Sequence, residues 1–186
     1  MMQMEKKMKK QEEIIAYKAF FKGLKNNIDG IDYQVGKEYQ TTDRLQYMKS
    51  GFHMCKNPED CFRFIKPTVT DVDLTLVRGF GNWYGFDAGY RSYDDTIGYI
   101  YITEKMEILK VFTREEIIDM AVEMAPISLD TFLYLYPLTK EEAKYLIDNY
   151  KYDNLGHLWN KSEKNIADLV DSYQKKYIKR KENSNG

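Results

Sequence analysis

The hydrophobic period of this chain changes once, at Thr113, and that change limits the folds open to it. Upstream, apolar residues alternate or gather in short runs between glycine and asparagine turns, as strands do; downstream they recur every three to four residues, as on helices. Thr113-Arg-Glu-Glu116 and Thr139-Lys-Glu-Glu142 both have capping-box spacing, with a hydroxyl at the cap and a Glu placed to bond back to it. Ile166, Leu169, Val170, Tyr173 and Tyr177 form one stripe of a last helix. The expectation is an α+β fold: a mixed, mainly antiparallel sheet with one short helix after the Gly51-Phe-His-Met-Cys55 strand, then a helical C-terminal part. The expected divisions are a mobile N-terminal tail over 1–13, an α+β domain over 14–125, a helical extension over 126–179 and a disordered tail over 180–186.

Within the sheet region, Ile14–Phe21, Ile31–Val35, the Gly-Phe-His-Met-Cys segment and Thr68–Arg78 read as strands, the last with a slip of period between Val69 and Val72 that marks a bulge. Ile97–Thr103 and Met106–Phe112 read as a hairpin turning at Glu104-Lys105. Residues 79–96, rich in glycine and aromatics, read as a long loop.

Charge narrows the partners. The 28 basic and 29 acidic side chains nearly cancel, which argues against strong non-specific nucleic-acid binding. Basic ends flank an acidic middle. Met1–Lys10 is basic but is not followed by the apolar run of a signal peptide, and no segment approaches the roughly 20 apolar residues of a membrane span. Two cysteines make no secreted disulfide framework, so a soluble cytoplasmic protein is expected.

The segment Ser50–Cys61 packs a glycine, one of two histidines and both cysteines around a strand-to-helix turn. Asn57 suits an N-cap and Pro58 the first helical position. A zinc site there lacks a CxxC pair and a fourth ligand, so no metal is expected. Cys61 near a helix start is a candidate nucleophile by position, but its neighbour Phe62 turns it toward the sheet. The 79–96 segment offers a different chemistry. Trp83, Tyr84, Phe86, Tyr90 and Tyr93 alternate with glycines around Arg91, the composition of a partner-binding surface: rigid rings, adaptable backbone and one Arg.

Four short stretches occur in a recognisable order: Ile15-Ala-Tyr-Lys-Ala-Phe20, Tyr33-Gln-Val-Gly-Lys-Glu-Tyr39, Gly51-Phe-His-Met-Cys-Lys-Asn-Pro58 and Ile108-Leu-Lys-Val-Phe-Thr-Arg-Glu-Glu-Ile117. Together they resemble a family of small phage and prophage proteins of unknown function, which carry YKAF, YxVGKxY and GFHxCxNP motifs. The resemblance implies a mobile-element context and the cytosol of a bacterial host, and carries no reaction with it. The expected function is a phage or prophage accessory protein that binds a bacterial protein or ribonucleoprotein, an inhibitor of a host defence system being one form. The alternative is an ADP-ribosyltransferase-like enzyme using NAD. In that reading Tyr17 (or Lys18), His53 and Glu107 (or Glu104) stand in the order of the strand residues that hold NAD and polarise the ribose hydroxyl.

Overall fold

The computed structural model describes residues 9–10, 13–25, 31–47, 49–61, 72–87, 99–152 and 165–184. The fold is α+β and divides into two compact units, Met1–Cys61 with Asp73–Phe112, and Phe62–Val72 with Thr113–Gly186. The second unit thus takes in all four helices after Thr113, whereas the change of domain was expected near residue 125.

The first unit is a sheet of β1 (Lys9–Lys10), β2 (Ile14–Phe21), β3 (Glu38–Gln40), β4 (Phe52–Cys55), β5 (Val72–Asp87) and β6 (Tyr99–Val111), with the short helix α1 (Pro58–Cys61) after β4. Strand order is β1-β5-β2-β4-β6-β3, and β5 also pairs with β6, so β2, β4, β6 and β5 close a ring of pairings. The strand registers are antiparallel, joined by one parallel bridge from Val35 to Ile108. Closing the ring buries the alternate residues that point inward. Ala16 and Phe20 of β2, Met54 of β4, Val77 of β5, and Met106 and Ile108 of β6 form this core with Ile14 and Tyr33.

A buried carboxylate fixes the turn after β2. Asp73 accepts the Gly23 and Leu24 amides at 2.7 and 3.1 Å and the Lys22 ammonium at 3.0 Å. Gly23 and Leu24 both have positive φ, 78° and 57°, so these bonds hold a backbone conformation that leucine rarely adopts.

Two sequence expectations change here. The segment from Gly79 is strand, not loop, as far as Asp87, and the expected hairpin turn at Glu104-Lys105 lies inside one continuous β6. The break of period at 104–105 is real but means something else. Before it Ile100 and Ile102 pack with Tyr84, and Tyr101 faces the other cluster; after it Met106 and Ile108 face that cluster. The strand therefore changes which face it buries without reversing direction. The register shift between Phe80 and Trp83 on β5 lies at the same level, with Gly81 at φ 81°. Glu104 joins the two irregularities by accepting the Asn82 amide at 3.2 Å and its side-chain nitrogen at 2.8 Å. The bulge expected between Val69 and Val72 falls outside the described residues.

The second unit contains α2 (Arg114–Val122), α3 (Pro126–Leu135), α4 (Lys140–Asn149) and α5 (Ile166–Ser184). Thr113 and Thr139 close both expected capping boxes, with Glu116 and Glu142. Arg114 adds a two-pronged pair to Glu142, at 2.6 and 2.9 Å; this pair is the main cause that holds the Glu142 carboxyl below its ordinary range. α2 packs on α4, while α3 and α4 both pack on α5. Leu169 and Val170 of the expected stripe are fully buried, and Tyr173 donates to Asp130 at 2.5 Å. α5 runs to Ser184, past the expected end of order near Lys179; its Lys, Arg and Glu residues are good helix formers.

Candidate interaction surface on the β5–β6 ribbon

The two candidate regions of the sequence, the Ser50–Cys61 turn and the aromatic segment, come together on one face of the sheet. In the register His53 lies opposite Ile102 and Ile102 opposite Tyr84; Cys55 lies opposite Ile100 and Ile100 opposite Phe86. Directly opposed residues share a face, so His53, Cys55, Tyr84 and Phe86 line one side of the strands. Tyr47 bridges them, its ring 5.9 Å from His53 and 4.7 Å from Phe86. The Tyr84 hydroxyl is hydrogen-bonded to the Tyr47 main chain. Gly51 sits beneath this cover: a Cβ there would lie 2.7 Å from Ile102 and 2.9 Å from Leu45.

This face is a packed satellite core. Tyr84 is 8% exposed, and burial raises its hydroxyl pKa. Burial, and then the nearby Lys18 ammonium, push His53 down from 6.5 to about 4, offset in part by the bond from its Nδ1 to the Gly51 carbonyl. The imidazole is therefore neutral at pH 7. Burial, reinforced by the neighbouring Cys55 thiol, raises the Cys61 pKa well above its ordinary value. That is the reverse of what an activated nucleophile needs. Asn57, the expected cap, donates its side-chain amide to the buried Asp60 at 3.3 Å. Among the described residues no three His, Cys, Asp or Glu side chains are gathered as metal ligands.

The opposite face of the same ribbon carries different rings. Trp83 and Tyr101 meet edge to face at 6.0 Å, and Tyr101 meets Tyr99 in the same way at 5.1 Å. Tyr99 lies over Gly85: a Cβ on Gly85 would come 2.4 Å from the Tyr99 ring. Glycine at 85 thus makes room for a cross-strand aromatic, the device that compensates a bare strand glycine. Tyr99 is 36% exposed, while Trp83 and Tyr101 are half-buried. Among the described residues the buried Trp83 indole nitrogen has no hydrogen-bond acceptor.

Of the six aromatic-segment candidates, Trp83, Tyr84 and Phe86 are therefore on strand β5, split between its two faces; Tyr90, Arg91 and Tyr93 lie outside the described residues. Tyr99 and Tyr101 escape a reading centred on the glycines, although the alternation Tyr99-Ile-Tyr-Ile102 carries the signal of two different faces.

The NAD-reading residues are brought together only in part. Tyr17 is opposite Cys55, two residues from His53, with its ring stacked on Phe112 at 6.0 Å. The Lys18 ammonium donates to the His53 carbonyl at 2.8 Å. Glu107 lies five residues along β6 from Ile102, the partner of His53, which at about 3.3 Å per residue is roughly 16 Å away. It is held by Arg78 at 2.5 Å. Glu104 is occupied by Asn82 and by Gln40, which donates at 3.0 Å.

A family model described as "Domain of unknown function (DUF7666)" matches residues 14–83. The matched stretch opens at the first residue of β2 and closes at Trp83. It contains the first three of the four recognisable stretches and excludes the fourth together with all of β6. No curated protein and no solved structure matches the chain. No helix of the described residues is long and apolar enough to cross a membrane.

Proposed function

We propose that the protein is a non-catalytic accessory protein of phage or prophage origin that binds a bacterial protein or ribonucleoprotein in the host cytoplasm, interference with a host defence system being its expected form. One observation carries the binding reading: the Tyr99 ring at the end of the β5–β6 ribbon, 36% exposed and held edge to face by the half-buried Tyr101. Aromatic rings on rigid strands give large contact area at small entropic cost. The phage and host context rests on the sequence resemblance. A neutral buried His53, a raised Cys61 thiol and the separation of Glu107 from His53 weigh against the NAD-using alternative.

The test uses the immobilised full-length chain in bacterial lysate, wild type beside the double variant Tyr99→Ala/Arg91→Ala. Tyr84 is left intact because its burial makes unfolding the expected result of its removal. Loss of the captured partner with an unchanged melting transition supports the reading; identical capture by both proteins overturns it. In parallel, release of nicotinamide from NAD is measured. None is expected, and release abolished by His53→Ala would move the assignment to the transferase.

A further inference from the structure

The two cysteines of the chain are buried side by side, and the binding reading uses neither. Cys55 ends β4, opposite Tyr17 of β2 and Ile100 of β6, and Cys61 ends α1. Both thiols are free, and they are hydrogen-bonded to each other. α1 is a single turn that packs on β2 and β4. The Asn57–Asp60 bond at 3.3 Å and the 3.9 Å contact of the Cys61 Sγ with the Asn57 carbonyl hold that turn, so Cys61 points back at the end of β4. Between the cysteines, the Lys56 amide donates to the Tyr99 carbonyl at 2.9 Å and ties the same turn to the start of β6.

We propose that Cys55 and Cys61 are a redox pair, closing to a reversible disulfide that staples α1 to the end of β4. The proposal stands independently of the binding reading above. Two thiols in contact meet the condition of approach that a disulfide sets and that separated cysteines fail. Where thiols are kept reduced, such a bond is transient and redox-sensing rather than structural. Burial holds the Cys61 thiol protonated, with the Lys18 ammonium acting against it, so the closed turn resists oxidation. The pair reacts when α1 unwinds, and a single helical turn has little cohesion of its own to prevent that. With a hydroperoxide as oxidant, one thiolate attacks a peroxide oxygen, which breaks the O–O bond and leaves a sulfenic acid and hydroxide. The second thiolate attacks the sulfenic sulfur, forming the S–S bond and displacing a second hydroxide. The two sulfurs give up one electron each, the peroxide takes both, and the two hydroxides leave as water with the thiol protons. A dithiol reverses the step by exchange and is itself oxidised to its disulfide.

The reduced full-length chain is treated with hydrogen peroxide in native buffer, then unfolded, alkylated with iodoacetamide and weighed intact. The expected product is a monomer lighter by two hydrogen atoms that takes up no alkyl group and regains both thiols with dithiothreitol. Uptake of two alkyl groups, a disulfide-linked dimer, or sulfinic acid in place of the disulfide overturns the proposal. A second measurement asks whether the fold favours the bond. The dithiol–disulfide equilibrium is read in glutathione buffers, approached from the reduced and from the oxidised chain, once in native buffer and once in concentrated urea. A disulfide that fits the fold stabilises it, and by the same linkage the fold stabilises the disulfide. The equilibrium constant should therefore be at least about tenfold larger in native buffer than in urea, and the urea midpoint of the oxidised chain should lie above that of the reduced one. A constant equal or smaller in native buffer would show that the thiols meet in the folded turn without room to bond, and overturns the proposal.

Discussion

The β5–β6 ribbon has two halves, divided where Gly81–Asn82 bulges against Glu104, and the same pair of strands treats its side chains in opposite ways on either side. In the half before the bulge, Arg78 reaches Glu13 at 3.1 Å, Glu38 at 3.5 Å and Glu107 at 2.5 Å, and lies 5.1 Å from the Phe80 ring, which Lys105 approaches at 5.8 Å. In the half after it, Trp83 and Tyr101 pack against the main core and meet edge to face, with Tyr99 beyond them, while Tyr84 and Phe86 are packed under Tyr47 on the other side. The charged half uses its polar groups on itself. The aromatic half leaves the Tyr99 ring 36% exposed. A region whose charges are paired among themselves has less to offer a partner, so function is sought where a ring remains exposed.

The comparison is broken most severely by acid, through the packed side of the aromatic half. His53 titrates near 4 when folded and near its ordinary 6.5 when unfolded. The unfolded chain therefore binds the proton first as pH falls, and stability present above pH 6.5 is lost between about 6.5 and 4. The loss is about 3 kcal/mol at about 1.4 kcal/mol per unit. Urea unfolding at pH 7 and at pH 4.5 measures it. His53→Gln should remove most of the difference; an equal pH dependence in that variant would mean that other groups carry it.

Next in size is the charged half. Arg78→Met leaves Glu107, whose side chain is 16% exposed, without its closest partner, at an expected cost of about 1–3 kcal/mol. The double variant Arg78→Met/Glu107→Met should recover most of that loss, because it removes the stranded carboxylate together with the cation. Denaturant midpoints of the four proteins give the coupling, and additive losses would show that the cluster is no lock. Capture of the partner should be unaffected in all four.

Much of this arrangement was legible where its causes are local. Ile14–Phe21 alternates and is a strand; Thr113 and Thr139 have their Glu three residues on and are caps. The ribbon was not legible, because its glycines answer to neighbours across the sheet. Gly85 reads as a loop residue in the sequence and is needed beneath a ring fourteen residues away along the chain, Tyr99. Glu104-Lys105 shows a broken period, which a turn and a change of buried face produce alike. The Ser50–Cys61 turn and the aromatic segment looked like rival sites, and only strand register places His53 and Tyr84 on either side of Ile102. Periodicity reports which residues share a face of one strand and is silent on which strands meet.

A smaller effect separates the two sides of the aromatic half. Tyr84→Phe keeps the ring in its cluster and removes the hydrogen bond to the Tyr47 main chain, with an expected loss of about 1 kcal/mol. The same change at Tyr101, a half-buried ring packed against the main core from the opposite face, should cost less. Parallel urea curves for the two variants would sharpen the distinction between the two faces of the ribbon, and equal losses would erase it.

The smallest expected change returns to the charged half and tests whether all of Arg78's partners matter. Glu38 is the farthest of the three, at 3.5 Å, and its side chain is 62% exposed. Solvent screens such a pair and holding two long side chains in one geometry costs entropy, so exposed pairs contribute about 0–1 kcal/mol and this one belongs at the low end. Glu38→Gln should shift the urea midpoint by less than about 0.5 kcal/mol, and the difference should vanish in high salt. A loss as large as that of Arg78→Met would mean that β3 is held against β6 by this ion pair to Arg78 of β5. The backbone register of Glu38 with Glu107, Tyr39 with Met106 and Gln40 with Lys105 would then be its consequence, whereas a small loss places the hold in the strand pairing itself.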